Sequence, residues 1–182
     1  MPIKNLPKAP KTKHHVQSIL ALPFMVVIVI PAFILWLTPA HSFLSLSKMM
    51  SFSVALLFFV LGIYLFITCL RLFMKKGKGT LAPWNPTQKL IVEGPYSYVR
   101  NPMISGVLLM LLSEALVFNR GALFLWVAFF FVLNNIYFRF KEEPDLIKRF
   151  GNDYLAYRSK VPRWIPRFRS KEKSVNHVKK EN

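Results

Sequence analysis

Residues 49–70 read MMSFSVALLFFVLGIYLFITCL, a stretch without one formally charged side chain. A spanning α-helix needs about 20 apolar residues, and this stretch supplies them. Gly62 is its one residue small enough to admit close approach of a neighbouring helix. Val16 to Ser47 and Gly121 to Phe138 are also free of formal charge. The whole chain of 182 residues is 53% hydrophobic, 15% aromatic and only 18% charged, where soluble domains carry about a quarter charged residues. These figures exclude a soluble globular domain. The aromatic and branched content excludes intrinsic disorder for the middle of the chain.

Working outward, the pattern predicts helices over 16–38, 49–74, 102–118 and 121–140. Pro23 and Pro31 are expected to kink the first, which membrane helices tolerate. The run from Ile19 to Thr38 exceeds the apolar core of a signal peptide, so it reads as a retained first span. Only Asn119 and Arg120 separate the last two helices, which must form a tight antiparallel hairpin. Beyond Pro144, which is expected to kink the chain, Leu146, Ile147, Phe150, Tyr154 and Tyr157 mark an amphipathic helix. The fold class is therefore an all-α membrane protein of four transmembrane helices. A cytoplasmic loop and a C-terminal amphipathic helix would form its site. A basic tail (1–15), one membrane domain (16–167) and a basic tail expected to be disordered (168–182) complete the organisation.

The 25 basic residues against eight acids give a formal charge of +17. Lys4, Lys8, Lys11 and Lys13 precede the first span. Arg71, Lys75, Lys76, Lys78, Lys89 and Arg100 lie between the second and third, and a further set runs from Arg139 to the end. Lys48 and Arg120 alone fall in the opposite loops. The positive-inside rule then puts both termini in the cytoplasm of a multi-pass protein. A surplus that flanks apolar spans suits anionic lipid, so no nucleic-acid partner is expected. The single cysteine, Cys69, excludes an intrachain disulfide and a Cys-based metal cage. His14 and His15 have no further ligand nearby, so no metal is expected.

Two segments are unlike plain connectors. Residues 77–102 read GKGTLAPWNPTQKLIVEGPYSYVRNP, where Pro and Gly break helix repeatedly and Trp84, Tyr96 and Tyr98 add aromatic surface. The bland reading is a loop whose rings sit among lipid headgroups; the sharper one is a folded, site-forming loop. In the second segment Asn135, Arg139 and Glu142 recur at helical spacing, and Glu142 and Glu143 stand side by side among many cations. Their bland reading is pairing with Arg139 and nearby Lys. Glu114 is the one acid within a span, where pairing with Arg120 or Asn119 competes with a functional role.

GPYSYVRNPM (94–103), a hydrophobic hairpin, EEP (142–144) and RFGNDYLAYRSKVPRWIP (149–166), in this order and spacing, resemble the integral-membrane methyltransferases. That group includes isoprenylcysteine carboxyl methyltransferase and the phospholipid N-methyltransferases. The resemblance covers about residues 77–167. It implies S-adenosylmethionine bound between the pre-hairpin loop and the post-hairpin segment. The family loop motif Arg-His-Pro-x-Tyr-x-Gly appears here as Arg100, Asn101, Pro102, Met103, Ile104, Ser105 and Gly106, with Asn for His and Ile for Tyr. Asn keeps a hydrogen-bonding group and loses a titratable one.

The resemblance implies cofactor contacts from Tyr96, Tyr98, Arg100, Asn101, Gly106, Glu142, Glu143 and Tyr154, with Glu143 and Arg163 at the reacting centre. Glu142 and Glu143 would receive the cofactor's ammonium or ribose hydroxyls, and Arg100 or a backbone N–H its carboxylate. Tyr96, Tyr98 or Tyr154 would face the sulfonium. The expected acceptor is lipid-like or prenylated, with carboxylate O-methylation favoured. A phospholipid amine acceptor and a non-catalytic membrane protein of the same architecture are the alternatives.

Overall fold

A computed structural model describes residues 22–39, 43–44, 47–76 and 89–166. The expectations for both tails, for His14 and His15 and for the first half of the loop at 77–88 lie outside the described residues. Among the described residues the elements are helical, with no strand. They are α1 (Leu22–Leu37), α2 (Lys48–Lys76), α3 (Pro102–Phe118), α4 (Gly121–Tyr137) and α5 (Glu143–Lys160).

Two helical stretches are long and apolar enough to cross a membrane, Lys48–Lys75 and the one beginning at Gly121, and α1 and α3 are shorter apolar helices. Only 17% of the most apolar window of α2 is buried within the protein. The core helix of a soluble protein would be mostly covered. Phe52, Leu56, Leu57, Val60 and Tyr64 of α2 and Leu125, Phe129, Val132 and Ile136 of α4 are exposed. An apolar face of that extent needs lipid against it.

The core lies where α3 meets α4, in Val107, Met110, Leu111, Ala115, Leu123, Val127 and Phe130, with Val27, Ile34 and Leu35 of α1 and Ile63 and Phe66 of α2 packed onto it. Helices in lipid gain little from expelling water, so close packing is what binds them. Gly62 supplies it, as its small size predicts. A Cβ at Gly62 would stand 2.7 Å from the Gly106 carbonyl oxygen, and one at Gly106 would stand 2.8 Å from the Gly62 carbonyl oxygen.

In α1 the turn Met25–Val29 is widened to π-helical spacing just ahead of Pro31. Proline lacks an N–H and crowds the carbonyl four residues back, so the wide turn absorbs the misfit without breaking the helix. At the hairpin Asn119 adopts the left-handed conformation (φ 49°, ψ 44°), and its N–H closes α3 on Ala115. Its side chain also clasps the preceding loop: Oδ1 accepts from the Leu44 N–H at 2.8 Å, and Nδ2 donates to the Leu44 carbonyl at 2.8 Å. Arg120 Nη1 donates to the carbonyls of Leu35 (2.7 Å) and Thr38 (2.6 Å), capping α1. Arg120 and Asn119 are thus engaged elsewhere, and Glu114 Oε2 is buried without a partner among the described residues.

At Pro144, where the sequence predicts a kink, the helix continues. Glu143 keeps helical angles, Pro144 fills the first turn of α5, and the chain passes from α4 through a π-helical turn, Phe138–Glu142. Proline lacks an N–H and crowds the carbonyl four residues back, and the widened turn ahead of it accommodates the ring without ending the helix, as at Pro31. The break comes instead at Gly151, with φ 53° and ψ −127°. Side-chain-bearing residues rarely adopt that conformation.

Candidate active site

Arg100 and Glu143 come together at the hairpin end remote from Asn119. On the loop side, Ile91 and Tyr96 pack with Cys69, Leu72 and Phe73 at the end of α2 and with Met103 of α3. Phe73 meets the Tyr96 ring edge-on at 5.7 Å. A short 3₁₀ turn, Gly94–Ser97, follows, and Val99 is buried. Arg100 is thereby presented on a fixed backbone, and its N–H donates to the Pro162 carbonyl at 2.9 Å.

The break at Gly151 lets the second half of α5 turn back on this loop. Tyr154 is 2% exposed, and the Tyr157 hydroxyl donates to the Tyr96 carbonyl at 2.6 Å. Beyond α5 the chain folds onto α4. Trp164 lies between Phe131 (5.2 Å) and Phe138 (5.9 Å). Asn135 Oδ1 accepts from Arg163 Nη1 at 2.9 Å and from Trp164 Nε1 at 3.4 Å.

The Glu143 carboxylate, 6% exposed for the residue as a whole, organises three arginines. Oε1 accepts from Arg100 Nη1 at 2.6 Å and from Arg163 Nη2 at 2.7 Å, with Arg163 Nε at 3.2 Å. Arg158 Nη1 stands 3.7 Å from Oε2. A buried charge persists only when compensated by partners of good geometry. Here one anion holds three cations, so the cluster carries excess positive charge. Arg100 Nη1 also donates to the Tyr154 hydroxyl at 3.4 Å. Arg100 Nε is buried and without a partner among the described residues.

Glu142 is in a different state. Burial pushes its carboxyl up to about 7; Glu143 and Asp145 add to the rise, and Arg149 opposes it. Burial also holds the Tyr96 phenol well above its usual range, with Cys69, Glu142 and Tyr157 adding to it. The Tyr154 phenol is raised for the same first reason.

Of the residues read from the sequence, Arg100, Glu143, Tyr154 and Arg163 share one cluster. Tyr96 lies beneath it, bound through its carbonyl. Tyr98 is exposed and makes no side-chain contact with the cluster. Asn101 precedes α3 without a side-chain capping bond, and its carbonyl accepts from the Ser105 N–H and hydroxyl. Gly106 faces Gly62 of α2 and packs closely against it. Arg139, expected to share a face with Asn135, is exposed. Asn135, Tyr157, Arg158 and Trp164 were not assigned to the site. The available signal was the dense polar and aromatic run after the hairpin. Among the described residues, no group of three or more His, Cys, Asp or Glu side chains is placed to hold a metal ion.

No curated protein and no solved structure matches the chain. The family model for phospholipid methyltransferases matches residues 50–153. That stretch runs from the first turn of α2 through the Gly62–Gly106 crossing, Arg100 and the Glu142–Glu143 pair into α5. It covers more than half of the chain, and the chain belongs to the phospholipid methyltransferase family.

Proposed function

We propose that this membrane methyltransferase moves a methyl group from S-adenosylmethionine to the amine of a phospholipid headgroup at the cytoplasmic membrane face. The observation that carries the proposal is the Arg100–Glu143 contact, made between the two segments that flank the hairpin and lying within the residues matched to a methyl-transferring family. The family's description favours a phospholipid acceptor over the carboxylate expected from the sequence. The basic residues flanking the apolar stretches support four spans with both termini cytoplasmic, α1 and α3 crossing beside the two longer helices.

The residues present fit the cofactor. Arg100 Nε is a buried donor lacking an acceptor, suited to a carboxylate. The buried Tyr154 ring beside it suits the neighbourhood of a cation. When bound, S-adenosylmethionine supplies an electrophilic methyl group that a positioned nucleophile takes directly. Glu143 fixes the directions of Arg100 and Arg163, and the buried Val99, Tyr154 and Val161 limit the access of water. Positioning of this kind supplies several kcal/mol of a displacement barrier.

The test is isothermal titration of S-adenosylmethionine into the full-length protein in lipid nanodiscs. Saturable binding is expected, weakened at least about tenfold in Arg100→Met, which is roughly 1.4 kcal/mol. No binding by the wild type would overturn the proposal.

A further inference from the structure

The three guanidinium groups that converge on Glu143 are not equivalent. Arg100 and Arg163 both bond Oε1, at 2.6 and 2.7 Å, and their side chains are only 12% and 21% exposed. Arg158 stands 3.7 Å from Oε2, with 45% of its side chain exposed. That separation is beyond hydrogen-bond reach. Arg158 has no other ion pair and no side-chain hydrogen bond among the described residues. Asp145, the next acid of α5, is paired with Lys141 instead. One carboxylate cannot neutralise three cations, so the surplus is open on the Arg158 side. The backbone beneath Arg158 is anchored. Tyr154 is buried, and Tyr157 is tied to the Tyr96 carbonyl.

The depth of the cluster follows from what surrounds it. Trp164 is seated between Phe131 and Phe138, and Arg163 reaches Asn135 of α4. The same end of α4 exposes Phe129, Val132 and Ile136, and Phe140 and Ile165 beyond it are exposed as well. Charged side chains beside the end of an apolar span lie at the level of lipid headgroups.

We propose that Arg158 holds the phosphate of the acceptor lipid, leaving the headgroup amine free to reach the cofactor's methyl group. The inference rests on the phospholipid-amine reading above and deepens it by naming the part of the headgroup that is gripped. A guanidinium is a planar donor fork that matches two phosphate oxygens, and Arg158 is the member of the cluster with donors uncommitted. A short ethylene linker joins phosphate to nitrogen in an ethanolamine headgroup, so gripping one fixes the reach of the other. Free phosphate shares the charge but not the acyl chains, and the exposed apolar side chains around the cluster favour the lipid-borne group.

Two experiments on full-length protein in dodecyl maltoside, a detergent without phosphate, test the assignment. Methyl transfer is compared for phosphatidylethanolamine and for oleylamine, an amphiphilic amine that lacks phosphate. For Arg158→Gln we expect the KM for phosphatidylethanolamine to rise at least about tenfold, with kcat and S-adenosylmethionine affinity within about threefold of wild type. The KM for oleylamine should not change. Arg158→Lys, which keeps the charge and loses the fork, recovers part of the KM. Isothermal titration with dihexanoyl phosphatidylethanolamine follows binding without reaction. It should weaken at least about tenfold in Arg158→Gln, and inorganic phosphate should bind wild type at least about tenfold more weakly than the lipid does.

Unchanged KM and lipid affinity in Arg158→Gln overturn the assignment. An equal rise in KM for both amines would mark a structural effect and also overturn it. So would an about tenfold loss of cofactor affinity, which would make Arg158 a cofactor ligand. Inorganic phosphate that binds as tightly as the lipid would overturn the lipid-borne source. Wild-type protein that binds the lipid through Arg158 yet methylates neither amine would support the phosphate site and overturn the acceptor reading beneath it.

Discussion

Arg100 and Glu143, 43 positions apart in the chain, meet at 2.6 Å. The hairpin makes this meeting possible. Asn119 reverses the chain in a left-handed turn, and antiparallel helices packed about 8–10 Å apart return their far ends side by side. Arg163 closes on the same oxygen from the chain beyond α5, so three separate segments depend on one carboxylate.

Glu143→Ala is therefore expected to destabilise the protein by about 3–5 kcal/mol, because it leaves buried guanidinium groups uncompensated. Glu142→Ala should cost far less. The sign of its pH effect follows from a carboxyl raised above its unfolded value to about 7. The stabilising contribution is complete below the unfolded value and is lost as pH rises through about 7. Wild-type stability should fall through this group as pH rises from about 4.5 to about 7, and Glu142→Gln should flatten that part of the curve. Denaturant unfolding in detergent at several pH values measures both effects; equal losses for the two alanine variants would contradict the division.

Gly151→Ala tests the backbone of α5. No atom lies within 4 Å of a Cβ built at this position, so the penalty comes from φ +53° alone. A cost of about 1–3 kcal/mol is expected, together with displacement of Tyr154 and Arg163 from the cluster. Fluorescence of Trp164 reports the displacement. A neutral substitution would mean that α5 runs straight through this residue.

The Gly62–Gly106 crossing makes an opposite prediction, in which sterics rather than φ decide. The nearest atom to each added Cβ is a backbone carbonyl, at 2.7 or 2.8 Å, and backbone cannot move aside as a flexible side chain can. Gly62→Ala or Gly106→Ala should cost at least about 1–3 kcal/mol by separating α2 from α3. Thermal unfolding in detergent measures it, with the exposed Ala32→Gly as a control.

Much of the helical layout was legible because apolar length and charge segregation are direct consequences of the bilayer. The 102–118 helix matches its expected bounds, and Gly62 was read correctly as a contact residue. That the chain meets Pro144 with a widened helical turn at Phe138–Glu142 was not visible in the pattern, because a proline's effect depends on where in a helix it falls. Gly151 was missed since a lone glycine in a helical run does not announce its φ. The loop and the post-hairpin segment were expected to form one site, and the structure brings them together. The saturation of Glu143 by arginines was not legible, since it depends on the chain doubling back after α5. Nor was the clasp of Asn119 on Leu44 or the capping of α1 by Arg120, whose partners are backbone carbonyls and an N–H group.

The proposed four-span arrangement predicts that cysteines introduced at the exposed Ser47 and Ile165 are labelled from opposite sides of a sealed vesicle. Cys69 is fully buried and gives little background. Labelling of both positions from one side would contradict four spans.

The most direct test of the central claim is methyl transfer itself. Full-length protein is supplied with methyl-labelled S-adenosylmethionine and vesicles containing either phosphatidylethanolamine or a prenylated-cysteine carboxylate, with Arg100→Met alongside. The account predicts label in the phosphatidylethanolamine headgroup, dependent on Arg100 and absent from the carboxylate. Label confined to the carboxylate, or no label in any lipid, would contradict it.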